Sequence, residues 1–361
     1  MNDASPPAPP GATPHPLWTN RHRAAFAALA FVILSAAAAA LFFRRDFDRP
    51  ADPAQAAPLL VEVQPGTGVL RISRQLEAKG LLRHPLAFQL QARLRGGARR
   101  IRAGFYELSP AMPPRAIYRT LIEGRVAQRT VTIPEGYNLR EIAEAFERAG
   151  LGSRETLIER ARDPALLART GAEGGSIEGY LFPDTYRFPV GTPPREMLLA
   201  MAQNLRRKFS PSHQERAEKL GVTLHEALTL ASIVEKETPL ASERSLVAAV
   251  FWNRLRKNMP LQSDPTVVYS LPRLDGPLRR QDLAHDSPYN TYLHRGLPPG
   301  PIASPGLASI EASLHPADED YLYFVATRSG GHAFSRTYRE HQAAIARHQT
   351  KPKEPVDPKT P

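Results

Sequence analysis

Between Ala24 and Phe43 the chain runs twenty residues without a charge (AAFAALAFVILSAAAAALFF), the length a helix needs to cross the hydrocarbon core of a bilayer. Everything else must fold on one side or the other of this segment. A cleavable leader is the competing reading, because Ser35 to Ala40 supplies small residues that a signal peptidase accepts. The stretch is longer than the apolar region of a leader and runs on into Leu41, Phe42 and Phe43, so it reads as a retained anchor. Arg21, His22 and Arg23 precede it and Arg44 and Arg45 follow, so flanking charge does not choose an orientation. The unequal lengths fit a short cytoplasmic tail and some 300 exported residues. Complete absence of cysteine is compatible with an oxidising compartment.

The exported part is long enough for two domains with cores of their own. The formal net charge of +11 is unevenly spread: between Arg71 and Thr130, thirteen Lys and Arg stand against Glu77, Glu107 and Glu123 alone. Such a patch attracts polyanions. For an exported chain these are lipid headgroups or cell-wall polymers, and nucleic acid is not an expected partner. The alternative is an arginine-rich solvated face with no partner.

The expected order is a tail (1–22), a transmembrane helix (23–43), a linker (44–58), a small module (59–130), a larger domain (131–348) and a second tail (349–361). Residues 1–17 and Thr350 to Pro361 have the Pro-rich composition of disorder. An internal repeat opens both folded parts. Val61–Leu81 aligns without gaps on Val131–Leu151, with identities at 61/131, 66/136, 72/142, 77/147, 80/150 and 81/151. Each copy reads as an alternating strand, a Gly turn and an amphipathic helix stopped by Gly80 or Gly150. Helices over Pro85–Leu94 and Pro114–Glu123 and a strand over Gly104–Leu108 complete the first part. Its strand–helix–helix–strand order resembles a LysM-like carbohydrate-binding module. The second part reads as α+β, with helices over Leu139–Ala149, Arg195–Phe209, Leu224–Thr238, Glu243–Lys257 and Tyr338–Arg347, a strand over Tyr321–Ala326, and long aromatic-rich loops between.

Leu224 to Val234 is apolar almost all round, which marks a buried helix. Glu235 and Glu237 stand at its end, where Pro239 must stop it. Two residues apart is about 200° around a helix, so the pair cannot flank one glycosidic bond as the carboxylates of ordinary glycosidases do. A carboxyl emerging from an apolar wall has a raised pKa and can act as a general acid. Alternatively, both pair with Lys236, Arg244 or Arg254 and are structural. The segments SIEGYLFPDTY (from Ser176), FWNRL (from Phe251), LQSDPTVVY (from Leu261), SPYNTY (from Ser287), GLPPGPIASPG (from Gly296), HPADEDYLYFV (from His315) and GGHAFSRTYREH (from Gly330) carry amides, hydroxyls and aromatic rings, the composition of a sugar-binding cleft. No phosphate loop, zinc-binding His pair or Ser-His-Asp pattern appears, so neither cofactor nor metal is expected; His225 and the GGH at Gly330 read as structural.

With ASIVEKET, LQSDPTV, YNTY, GLPPGPIASPG, YLYFV and GGHAFS in that order, the chain from Val61 to His341 resembles the YceG-like (MltG) family of endolytic murein transglycosylases. The resemblance implies a single-pass protein of the cell inner membrane with a LysM-like module and a periplasmic lyase domain. Such an enzyme cleaves peptidoglycan glycan strands between N-acetylmuramic acid and N-acetylglucosamine, leaving 1,6-anhydro ends, and couples to peptidoglycan synthases to terminate strands. The family's catalytic glutamate maps to Glu237, with Glu235 as the fallback. Gln262, Asp264 and Asn290 are the candidate partners of the developing oxocarbenium ion; Tyr289, Tyr292 and Glu178 are further candidate binding residues, and Asp184 a weaker one. Two other readings stand: a non-catalytic cell-wall scaffold, and a hydrolase in which Asp264 or Glu178 activates water.

Overall fold

The computed structural model describes residues 20–94, 96, 100–272 and 276–348. The two segments read as disordered lie outside the described residues, as do Arg95 and Arg99 of the basic stretch. The chain divides into two compact units, Met1–Ala127 and Gln128–Pro361.

The first unit opens with α1 (Asn20–Phe47), long and apolar enough over His22–Phe47 to cross a membrane. Phe31, Leu34 and Leu41 on it are exposed. The helix does not end with the apolar run at Phe43. It continues to Phe47, whose ring is 1% exposed and packs 6.4 Å from Phe88 and 6.1 Å from Tyr118. The following residues, read as linker, are held in place. The Asp52 N–H bonds the Pro110 carbonyl (3.0 Å), Ser109 Oγ donates to the Gln55 carbonyl (3.0 Å), and Arg115 pairs with Asp48 (2.7 Å).

Next come β1 (Leu59–Val63), α2 (Val69–Ala78), α3 (Pro85–Leu94), β2 (Gly104–Leu108) and α4 (Pro114–Glu123). The two strands pair antiparallel, Leu59 opposite Leu108, and their alternation turns Val61, Val63, Tyr106 and Leu108 inward onto Ile72, Leu76 and Phe88.

The second unit repeats the opening. β3 (Gln128–Thr132) leads through a turn at Gly136 into α5 (Leu139–Arg148). Both copies close alike: the Leu81 N–H bonds the Leu76 carbonyl and the Leu151 N–H the Phe146 carbonyl, with Gly80 and Gly150 both at φ +70°. The chain continues through α6 (Arg154–Arg160), α7 (Pro164–Thr170), β4 (Thr185–Pro189, antiparallel to β3), α8 (Pro194–Lys208) and α9 (Pro211–Leu220). Then follow α10 (Leu224–Glu237), α11 (Arg244–Arg256), α12 (Asp264–Ser270), α13 (Leu307–Leu314), the hairpin pair β5 (Tyr323–Ala326) and β6 (His332–Ser335), and α14 (Tyr338–His348).

α10 is the axis of this unit. Thr223 caps it reciprocally with Glu226, and Ala227 to Val234 are eight consecutive buried residues. Helices α11, α12 and α13 pack around it. Small residues, Ser232 on α10 and Ser309 and Ser313 on α13, are buried among them. Apart from the longer α1, the expected helices are present within one or two residues. LQSDPTVVY and GGHAFS, read as loops, contain α12 and β6. Pro265 in the first turn starts a helix too short to show a period.

Candidate active site

α10 stops at Glu237, because Thr238 before Pro239 is extended (φ −140°, ψ 128°). The two glutamates diverge as their spacing requires. Glu235 is spoken for: its side chain, 6% exposed, accepts from Arg244 (3.2 Å) and from the Gly306 N–H (2.9 Å). Glu237 Oε1 instead accepts from Ser263 Oγ at 2.5 Å. It stands on the wall of a cavity of about 420 Å³ with Arg254, Gln262, Asp264, Tyr292 and His341. Burial pushes the Glu237 carboxyl up to about 7; the Ser263 hydroxyl and the Arg254 guanidinium pull it down, and the nearby Asp264 adds to the rise.

How Ser263 reaches Glu237 depends on Gln262, a non-glycine residue at φ +51°. That left-handed residue is held by its N–H on the Thr291 carbonyl (3.1 Å), and the Ser263 N–H bonds Thr291 Oγ1 (3.0 Å). Strain of this kind persists only where surrounding contacts impose it. Arg254 braces the same turn from below. It is 7% exposed and donates to the carbonyls of Leu261 (2.7 Å) and Leu322 (2.7 Å), with its guanidinium 5.3 Å from the Tyr323 ring.

Asp264 is shared. It accepts from Tyr292 Oη at 2.5 Å and also borders a second, larger cavity of about 830 Å³. Tyr269 and Tyr289, rings 4.9 Å apart, and Glu178 line that cavity. Glu178 accepts the Leu139 N–H on both oxygens (3.0 Å each) and the Tyr269 hydroxyl (3.3 Å), holding the start of α5. Its burial outweighs these donors and pushes it up to about 7.

Of the residues expected in the site, Glu237, Gln262, Asp264 and Tyr292 meet in one cavity, and Glu178 and Tyr289 in the other. Asn290 lines neither: fully buried, it donates to the carbonyls of Leu283 (2.9 Å) and His285 (2.8 Å) and braces its own loop. Asp184 is bound by the Asn204 amide (2.9 Å) and lines neither cavity. His225 bridges Tyr180 Oη (2.9 Å) and the Pro299 carbonyl (2.8 Å), a structural tie. Among the described residues no His, Cys, Asp and Glu cluster could hold a metal. Ser263 and His341 were not singled out by the sequence reading, and Arg254 was named there only as a possible ion-pair partner of the two glutamates.

The class so defined is an acid–base site, one carboxyl poised near neutrality in an open polar cavity. The sequence pattern of the YceG-like family matches residues 61–347. The endolytic murein transglycosylase of Bacillus subtilis (strain 168) is 33% identical over 321 residues, covering 84% of this chain and 89% of the relative. That of Streptococcus pneumoniae serotype 2 (strain D39) is 32% identical over 335 residues, covering 83% of this chain and 60% of its own length. A crystal structure of a YceG-like protein from Listeria monocytogenes superposes with a TM-score of 0.56 at 34% identity, over 80% of this chain and 99% of that one. The chain belongs to the YceG-like family.

Proposed function

We propose that the chain is an endolytic peptidoglycan lytic transglycosylase, a lyase that cuts glycan strands between N-acetylmuramic acid and N-acetylglucosamine, with Glu237 as its single acid–base group. The observation that carries this is the placement of Glu237, protonated in good part near neutrality at the cavity wall, while Glu235 is turned away into an ion pair. The Glu237 acid gives its proton to the glycosidic oxygen as the C1–O bond breaks. The muramoyl C6 hydroxyl closes on C1, and its proton returns to the Glu237 carboxylate. Atoms balance without water, and the enzyme ends in the protonation state in which it began. A nucleophile supplied by the substrate removes the need for a second glutamate. Asp264, Gln262 and Tyr292 border the space where the oxocarbenium charge develops.

The same reading places α1 in the inner membrane, the second unit in the periplasm beside the synthases whose strands it cuts, and the βααβ part of the first unit against the cell wall. Its support is the length and apolarity of α1 and the basic stretch from Arg71 onward.

Mass spectrometry of glycan ends tests the function. Uncross-linked peptidoglycan incubated with the protein should yield internal fragments ending in 1,6-anhydromuramic acid, absent with Glu237→Gln. Reducing ends would make it a hydrolase working through Asp264 or Glu178. Binding without cleavage would make it a scaffold.

A further inference from the structure

The larger cavity has a chemistry the reaction at Glu237 does not use. Arg140, Arg154, Arg162 and Lys236 stand around it, on α5, on α6, just after α6 and near the end of α10. Among the described residues, the guanidiniums of Arg140 and Arg162 have no hydrogen-bond or ion-pair partner, and both residues are exposed at the rim. Arg154 has Glu144 at 3.3 Å, and Lys236 reaches only the Gly136 carbonyl at 3.3 Å. The acids of the same cavity are occupied. Glu141 accepts the Asn138 N–H (2.8 Å), Glu178 is buried on the Leu139 N–H, and Asp264 accepts from Tyr292. What remains is a cleft with a cationic mouth and a floor of Ile158, Val268, Tyr269, Tyr289 and Ile302.

This cleft adjoins the Glu237 cavity, since Asp264 belongs to both. Anything attached to a sugar bound over Glu237 therefore has a path into it. The substituent of a muramoyl residue is a short peptide bearing free carboxylates and small apolar side chains. Carboxylates suit unpaired guanidiniums, which bind them with two parallel hydrogen bonds. Methyl groups suit the aromatic and aliphatic floor.

We infer that the larger cavity is a subsite for the anionic peptide carried by the muramoyl sugar, with Arg140 and Arg162 as its carboxylate-binding, specificity-determining residues. This rests on the reading of the chain as a glycan-cleaving enzyme. It makes the enzyme a reader of peptide-bearing strands and not of bare glycan.

The test uses the full-length protein in detergent and three uncross-linked substrates: strands with peptides, strands stripped of peptides by an amidase, and strands whose peptide carboxylates are converted to amides. Wild type should cleave peptide-bearing strands roughly tenfold better in kcat/KM than either other substrate, the effect of about one charge-assisted hydrogen bond. In Arg140→Gln/Arg162→Gln that ratio should collapse towards one, and the paired thermal melts should coincide. Equal wild-type rates on all three substrates, or a variant that loses the same factor on each, would overturn the subsite. Binding to the Glu237→Gln protein separates the two readings. If wild type cleaves nothing, yet Glu237→Gln holds peptide-bearing strands more tightly than amidated ones, the catalytic reading fails and the subsite stands.

Discussion

Replacing Ser263 by alanine removes the hydroxyl that donates to Glu237 at 2.5 Å and little else, since Ser263 makes no side-chain cap on α12. A hydrogen bond to a charged group contributes about 1.5–3 kcal/mol, which at about 1.36 kcal/mol per pH unit is about one to two units on the carboxyl. The neutral acid still accepts from the same hydroxyl, so the difference between the two states lies at the low end, about one unit. Wild-type Glu237 is pushed up to about 7, and loss of the donor raises it further. The acid form then survives to higher pH, and the alkaline limb of kcat/KM should move up by about one unit. Initial rates of anhydro-ended fragment release from about pH 5 to about pH 9 read this directly. Asp264→Asn should move the same limb down, because a like charge that raised the carboxyl is gone. An alkaline limb that stays put or falls in Ser263→Ala would show that it does not report Glu237, and the assignment of the acid would go with it.

Glu178 predicts a pH-dependent stability. Its folded value, about 7 against an ordinary 4.5, means the folded state keeps a proton the unfolded chain releases, so stability falls as pH rises from 4.5 to 7. That decline is about 3 kcal/mol for this group, and urea titrations of Glu178→Gln across the window should show it removed. Gly179→Ala should cost more than about 3 kcal/mol, because its φ is +77° and a Cβ would overlap the Pro301 ring; thermal melts measure it. Phe47→Ala should destabilise the first unit by about 3–5 kcal/mol, read as faster hydrogen exchange in α3 and α4; unchanged exchange would remove Phe47 from that core.

The buried helix was legible because eight apolar or small residues in a row leave α10 no exposed face, and Pro239 dictated its end. The divergence of Glu235 and Glu237 followed from helix geometry alone. The turn at Gln262 did not: a left-handed glutamine has no sequence mark, and with the Thr291 contacts it brings Ser263 to a residue 26 positions away. Asn290 was read as a sugar ligand because an amide that binds carbonyls and one that binds hydroxyls look the same in a sequence. Arg254 was invisible as a brace for a similar reason, since its partners are backbone carbonyls, Leu261 in the loop after its own helix and Leu322 from a distant one. Helices α6, α7, α12 and α13 have eight residues or fewer and show too little period to be read, and α9 has too few apolar residues to carry one.

A rope lets its load swing; a mast does not. Because α1 runs unbroken into the core of the first unit through Phe47, a membrane-crossing α1 would carry that unit as a mast carries a platform. Four helical residues beyond Phe43 lift the platform about 6 Å above the end of the apolar run. Membrane helices lean by about 20° on average, and any such lean would be copied by the unit itself. Bilayer thickness, which biases that lean, would thereby bias the attitude of the βααβ part of the first unit to the membrane plane.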